Sequence, residues 1–242
     1  MPPAPHGAHI TWRPPYPLVT SSLRDQARAT NGAAEPAPKT PPKDPTVTST
    51  PHRSRDAALI AIFAGVIAAL GIVPAITVPV VAVPITAQTL GVMLAGSVLG
   101  ARRGFFAVLL FDALVVLGLP LLSGGRGGIG VFATPSVGFI VGFPIAAFVV
   151  GWLVERFGTP YRLLPGIIAC LVGGVLVLYI AGILGISLVT RTDPWHAFLG
   201  SMAFLPGDVL KAVLAAVIAR GVHQAIPGLL GATKAAKAVP VG

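Results

Sequence analysis

The sequence predicts an all-α integral membrane protein: a bundle of six transmembrane helices with both termini in the cytoplasm. Three observations carry that reading. The chain has 242 residues, 54% of them hydrophobic and 10% charged, with a mean hydropathy of +0.84, whereas a soluble domain carries about 25% charged residues. The apolar residues are gathered into several long runs, and a helix needs about 20 such residues to cross a bilayer. The net charge of +9 is held in the tails and in short loops between the runs, which is the pattern of membrane topology and not of a nucleic-acid surface. The single cysteine, Cys170, sits inside an apolar run. It excludes an intramolecular disulfide and argues against a metal–thiolate cluster; no metal and no cofactor are expected.

Residues 1–55 form a zone of their own, holding 12 of the 24 prolines with many Ala, Thr and Ser. Such a segment has too little apolar surface to offset the entropy of ordering it. It reads as a disordered cytoplasmic tail. It is not a secretory signal, because no apolar stretch follows the start. The membrane domain is expected over residues 56–223 and a short cytoplasmic tail over residues 224–242.

The first span is expected at about 57–73, after Arg53 and Arg55. It carries small residues four apart: Ala57 and Ala61, Ala64 and Ala68, Gly65 and Ala69. Such pairs let helices approach closely in lipid, for internal packing or for docking to another subunit. A connector with Pro74, Pro79 and Pro84 leads to a second span at about 85–100, with Gln88 in its first turn. Ala101-Arg102-Arg103-Gly104 reads as a short basic loop. The third span, about 104–119, has Asp112 near its centre. A glycine-rich loop occupies 120–138, with Ser123-Gly-Gly-Arg-Gly-Gly-Ile-Gly130 at its heart. The fourth span is about 137–154, followed by Glu155, Arg156 and Arg162, and the fifth is about 165–189. Arg191, Asp193 and Pro194-Trp195-His196 introduce a short amphipathic piece, where His196 beside Trp195 reads as an interfacial anchor. Pro206 suits the first turn of a helix; the sixth span begins there and ends near His223.

The loops then orient the chain. Arg53/Arg55, Arg102/Arg103, Arg156/Arg162 and Arg220/Lys234/Lys237 fall on one side, and only Arg126 and Arg191 on the other. The more basic side is cytoplasmic by the positive-inside rule.

Topology brings four polar residues to one depth. Gln88 lies about one turn below the outer surface, Arg126 in an outer loop, and Asp208 in the first turn of the last span. Lys211 follows three residues later on the same helix face. Ionisable groups inside an apolar span are costly and face a cavity or a partner. A carboxylate and an amide can take N–H donors and a carbonyl, while Lys or Arg can hold an anion. The cluster is therefore a candidate recognition site. The plainer alternative is that Asp208 favours the positive end of its helix and Lys211 neutralises it. Gly124, Gly125, Gly127, Gly128 and Gly130 would let backbone approach a ligand. They do not form a phosphate loop, since no preceding strand and no Gly-Lys-Ser/Thr accompany them.

Several of these stretches together resemble one family. Val83-Pro-Ile-Thr-Ala-Gln-Thr-Leu90, Leu94-Ala-Gly96, Leu99-Gly-Ala-Arg-Arg-Gly104, Gly118-Leu-Pro120, Ser123-Gly-Gly-Arg-Gly-Gly128, Gly142-Phe-Pro144 and Pro206-Gly-Asp-Val-Leu-Lys211 are similar, in order, to the BioY biotin-transport family. The resemblance spans about residues 57–223. It implies the six-helix S-component fold of energy-coupling-factor (ECF) transporters, with a high-affinity biotin site at the outer face. It also implies docking to a membrane T component driven by two ATPase subunits, since this chain has no nucleotide-binding motif. Gln88, Arg126, Asp208 and Lys211 match the family's polar positions. The face bearing Ala57, Ala61, Ala64 and Ala68 would meet the T component. Asp112 and Phe111 depart from the pattern, where an apolar residue and a tyrosine are expected. On this resemblance Asp208 accepts from the ureido ring with help from Gln88, while Lys211 or Arg126 takes the carboxylate or the ureido carbonyl. An S component for another vitamin is the alternative within transport. From another class, Phe111-Asp112 and Pro206-Gly-Asp208 loosely resemble the paired motifs of intramembrane di-aspartyl proteases. Such enzymes need two carboxylates sharing a proton, and Lys211 beside Asp208 opposes that.

Overall fold

The structure is a computed structural model that describes residues 51–75 and 83–230. The tail expected over residues 1–55 therefore lies almost wholly outside the described residues. The middle of the proline-rich connector and the end of the C-terminal tail lie outside them as well. Among the described residues the chain is helical. The helices are α1 (Pro51–Leu70), α2 (Gln88–Leu99), α3 (Ala101–Val116) and α4 (Val137–Phe157), then a continuous α5 (Leu163–Thr190). The short α6 (Pro194–Ser201) runs through one tight turn into α7 (Leu205–Ala225). Val137–Phe157, Leu163–Thr190 and the segment Pro194–Ala225 are each long and apolar enough to cross a membrane. Their outward faces are greasy: Val141, Ile145, Phe148 and Trp152 of α4 are all exposed, at the three- and four-residue spacing of one helix side. An exposed apolar face of that size marks a membrane or partner surface.

The core is organised around α2, which touches α1, α3, α4, α5 and α7 and buries ten of its 12 residues. Glycines make this crowding possible. A side chain at Gly96 would run into Val150 and Gly151 of α4, and one at Gly174 of α5 would run into Met93. Close approach of this kind replaces the hydrophobic effect as the source of helix association in lipid.

Two expectations are corrected. The stretch Ala101-Arg102-Arg103-Gly104 is not a loop but the first turn of α3. The joint is the single residue Gly100, at φ +84°, a conformation that costs glycine little. The Ala101 N–H is then capped by Glu155 Oε1 at 2.9 Å, so the helix can start at once. The second helix begins at Gln88 rather than at 85, leaving non-helical backbone ahead of it. Residues 83–86 instead line a cavity, where irregular backbone is tolerated at membrane depth. Downstream of α7 the chain turns back. Leu229 is buried, and its carbonyl accepts from Arg103 Nη1 at 3.1 Å, while Arg103 Nη2 pairs with Asp56 at 2.9 Å.

Candidate functional site

Gln88 opens α2 and is 2% exposed. Its amide is used at both ends by the loop after α3: Nε2 donates to the Leu121 carbonyl at 3.0 Å, and Oε1 accepts from the Ser123 N–H at 3.0 Å. That loop turns back at once. Leu122 N donates to the Arg126 carbonyl at 3.0 Å and Arg126 N to the Leu122 carbonyl at 3.2 Å. The bend between them needs Gly124 at φ +80° and Gly125 at φ +70°, consecutive left-handed values that other residues rarely adopt. The result is a pinned hairpin tip that presents Arg126. Its guanidinium donates from Nε to the Ser123 carbonyl at 3.2 Å and from Nη1 to Ser136 Oγ at a long 3.5 Å. An arginine has five N–H donors, so three remain without a partner among the described residues.

Across the cavity stands α7. Pro206 lies in its first turn, and Asp208, 4% exposed, is its acidic residue there. Lys211 Nζ lies 2.9 Å from Asp208 Oδ1. The same ammonium donates to the Thr86 carbonyl at 2.6 Å and to Thr89 Oγ1 at 3.0 Å. These three acceptors match its three N–H groups. Thr89 Oγ1 also donates to Asp208 Oδ1 at 3.2 Å, and the Tyr179 hydroxyl donates to Asp208 Oδ2 at 2.9 Å. A buried ion pair is tolerated when hydrogen bonds satisfy its remaining groups; here Thr89 of α2, Tyr179 of α5 and the non-helical Thr86 carbonyl supply them.

Gln88, Arg126, Asp208 and Lys211 all line one cleft, together with Val83, Pro84, Ile85, Leu122, Ile140 and the rings of Phe139, Phe143 and Phe204. It encloses about 530 Å³ of empty space, part of it open to solvent. Its lining has the character of a small-molecule site, mostly apolar with a few convergent polar groups. The Phe139 ring stands edge-on to Phe204 at 6.1 Å, seated where Gly182 leaves room for it.

The structure thus gathers the four polar residues that the sequence singled out. Asp112 is not among the lining residues; it is 8% exposed, with Oδ1 buried and without a hydrogen-bond partner among the described residues. His196 stands at the surface, 3.7 Å from Asp193, next to an exposed Trp195. On α1 the small residues divide. Ala57 and Ala61 are exposed with Gly65 and Ala69, whereas Ala68 is half-buried and Ala64, at 3% exposure, belongs to the core. The sequence reading missed Tyr179, Thr89 and the Thr86 carbonyl. A lone tyrosine within the apolar stretch 171–186 was a usable signal; a backbone carbonyl was not.

The comparisons with known proteins agree. A profile described as the BioY family matches residues 43–228. A protein of Rhizobium etli called "Biotin transporter BioY" is 49% identical over 179 residues, covering 72% of this chain and 96% of that protein. One of the same name from Rhodobacter capsulatus is 47% identical over 186 residues, covering 73% of this chain and 97% of that protein. Among solved structures, the S-component for biotin from an ECF-type ABC transporter superposes with a TM-score of 0.70 at 29% identity, covering 73% of this chain and 95% of that one. The chain belongs to the BioY family.

Proposed function

We propose that this chain is the biotin-binding S component of an ECF-type uptake system, with its substrate held in the cleft between α2, α7 and the Gly124–Gly125 hairpin. It is a transport component and not an enzyme. The observation that carries the reading is the convergence of four polar side chains from three separate stretches on one apolar cleft, in a chain of this family.

Hydrogen-bonding capacity apportions the roles. Lys211 has all three N–H groups engaged by protein acceptors, so its task is to hold Asp208 against α2. Arg126 has three donors free and takes the carboxylate of biotin, as planar bidentate recognition favours. Asp208 accepts from the ureido ring. Gln88 acts through the hairpin it clamps. Phe139, Phe143 and Phe204 form the apolar wall for the thioether ring and the chain. Burial of the ring system against them is a favourable contribution of about 25 cal/mol per Å².

The larger setting follows. Six spans with both termini cytoplasmic are supported by the charges. Arg53, Arg55, Arg102, Arg103, Arg156, Arg162 and Arg220 belong to the helix ends opposite the cleft, as the positive-inside rule asks of a cytoplasmic face. The protein is then a multi-pass protein of the cell membrane whose cleft opens outward. α2 is only 12 residues long, about 18 Å, so its crossing is completed by the non-helical residues ahead of it. The exposed small face of α1, carrying Ala57, Ala61, Gly65 and Ala69, is the surface for the T component, which the two ATPase subunits drive. Ala64 belongs to the interior side of that helix.

The test is a titration of the detergent-purified chain with labelled biotin, with riboflavin and thiamine as competitors. Saturable binding of one biotin per chain that neither competitor displaces is expected. Displacement by another vitamin with no response to biotin would overturn the reading.

A further inference from the structure

We propose that Tyr179 is a positioning residue of this site, and that the π-turn at Val172–Val177 in α5 aims it. The inference rests on the biotin reading for its consequence but not for its geometry. A π-turn carries one residue more than regular helix, which rotates all that follows by about 100°. Counted as regular helix from Leu163–Leu171, the place that Tyr179 holds would fall to Leu178, whose side chain has no polar atom. With the extra residue in the π-turn (Val172–Val177), the phenol comes to it instead. The turn is fitted closely: side chains at Gly173 and Gly174 would collide with Val150 of α4 and Met93 of α2. The wider turn is accommodated because these two residues are glycines.

Tyr179 is 5% exposed, and its hydroxyl reaches Asp208 Oδ2 at 2.9 Å. Asp208 Oδ1 is held by Lys211 and Thr89, but those two contacts share one oxygen and leave the carboxylate free to turn about it. The Tyr179 bond on the other oxygen fixes the plane. Each carboxylate oxygen offers about two acceptor sites. With Oδ1 doubly engaged and Oδ2 singly engaged, one acceptor site remains, in a defined direction. Tyr179 does not line the cleft. It sets how Asp208 meets a ligand N–H without touching the ligand.

The test is Tyr179→Phe, which keeps the ring and removes the O–H. In the ligand-free protein the carboxylate stretch of Asp208, identified in infrared difference spectra by its loss in Asp208→Asn, should move in Tyr179→Phe. The dissociation constant for biotin should rise about tenfold, as when an unclamped Asp208 presents the binding-competent orientation only about one-tenth of the time. Unchanged biotin affinity would overturn the proposal. So would weakened binding with an unmoved carboxylate band, which would mark a packing role. A wild-type protein that fails to bind biotin would sink the proposed function instead, while the band would still report whether Tyr179 holds Asp208.

Discussion

Lys211 Nζ lies 2.9 Å from Asp208 Oδ1 and 2.6 Å from the Thr86 carbonyl, so a single ammonium ties the first turn of α7 to the backbone ahead of α2. Lys211→Met removes that tie and leaves Asp208 buried beside no cation. Breaking one partner of a buried pair costs about 3–5 kcal/mol, and thermal unfolding in detergent should show a loss of that order. The double variant Asp208→Asn/Lys211→Met removes both charges and should regain most of the stability without regaining biotin binding. A single variant as stable as wild type would show that the pair is not buried in the working protein.

The clamp at Gln88 makes a separate forecast. Gln88→Leu leaves the Leu121 carbonyl and the Ser123 N–H without their partners, and each unmet buried group costs about 1–3 kcal/mol. Hydrogen exchange at residues 121–126 should accelerate while the helices keep their protection. Exchange confined to its wild-type rate would contradict the clamp.

The hairpin tip separates backbone strain from crowding. At Gly124 and Gly125 an added Cβ meets nothing within 4 Å, so alanine there is penalised only by the left-handed φ, by about 1–2 kcal/mol. Gly127 differs, because its Cβ would collide with the Leu119 carbonyl. Gly127→Ala should therefore be the more destabilising of the three in thermal unfolding. Gly124→Ala and Gly125→Ala should act mainly on biotin affinity, by displacing Arg126.

The face of α1 offers the cleanest division between binding and coupling. A larger side chain at Gly65 enters open space. Gly65→Leu should leave biotin affinity of the purified chain unchanged and reduce biotin uptake in cells that supply the energising subunits. Ala64→Leu, in the core, should instead lower stability by about 1–3 kcal/mol through overpacking. Equal uptake by Gly65→Leu and wild type would exclude this face as the docking surface.

These outcomes also mark what the sequence could disclose. The apolar runs and the positions of Gln88, Arg126, Asp208 and Lys211 were legible, because hydropathy and charge along the chain constrain depth in a membrane. The tie from Lys211 to the Thr86 carbonyl was not, since a backbone acceptor has no side-chain signature. Nor was the start of α3 at Ala101: Gly100 and a carboxylate from α4 replace the loop that two arginines and a glycine implied. Register was equally hidden. Ala57 and Ala64 are chemically the same residue on one helix, and only packing against α2 and its neighbours decides that the second faces inward. The inward turn of Tyr179 depends on one extra residue in α5, which hydropathy does not register.

The most direct measurement is equilibrium binding of labelled biotin to detergent-purified Asp208→Asn and Arg126→Gln proteins beside the wild type, with circular dichroism to verify helical content. The account predicts one saturable site in the wild type and a loss of about tenfold or more in each variant, the cost of a charge-assisted hydrogen bond. Wild-type affinity in both variants would contradict it.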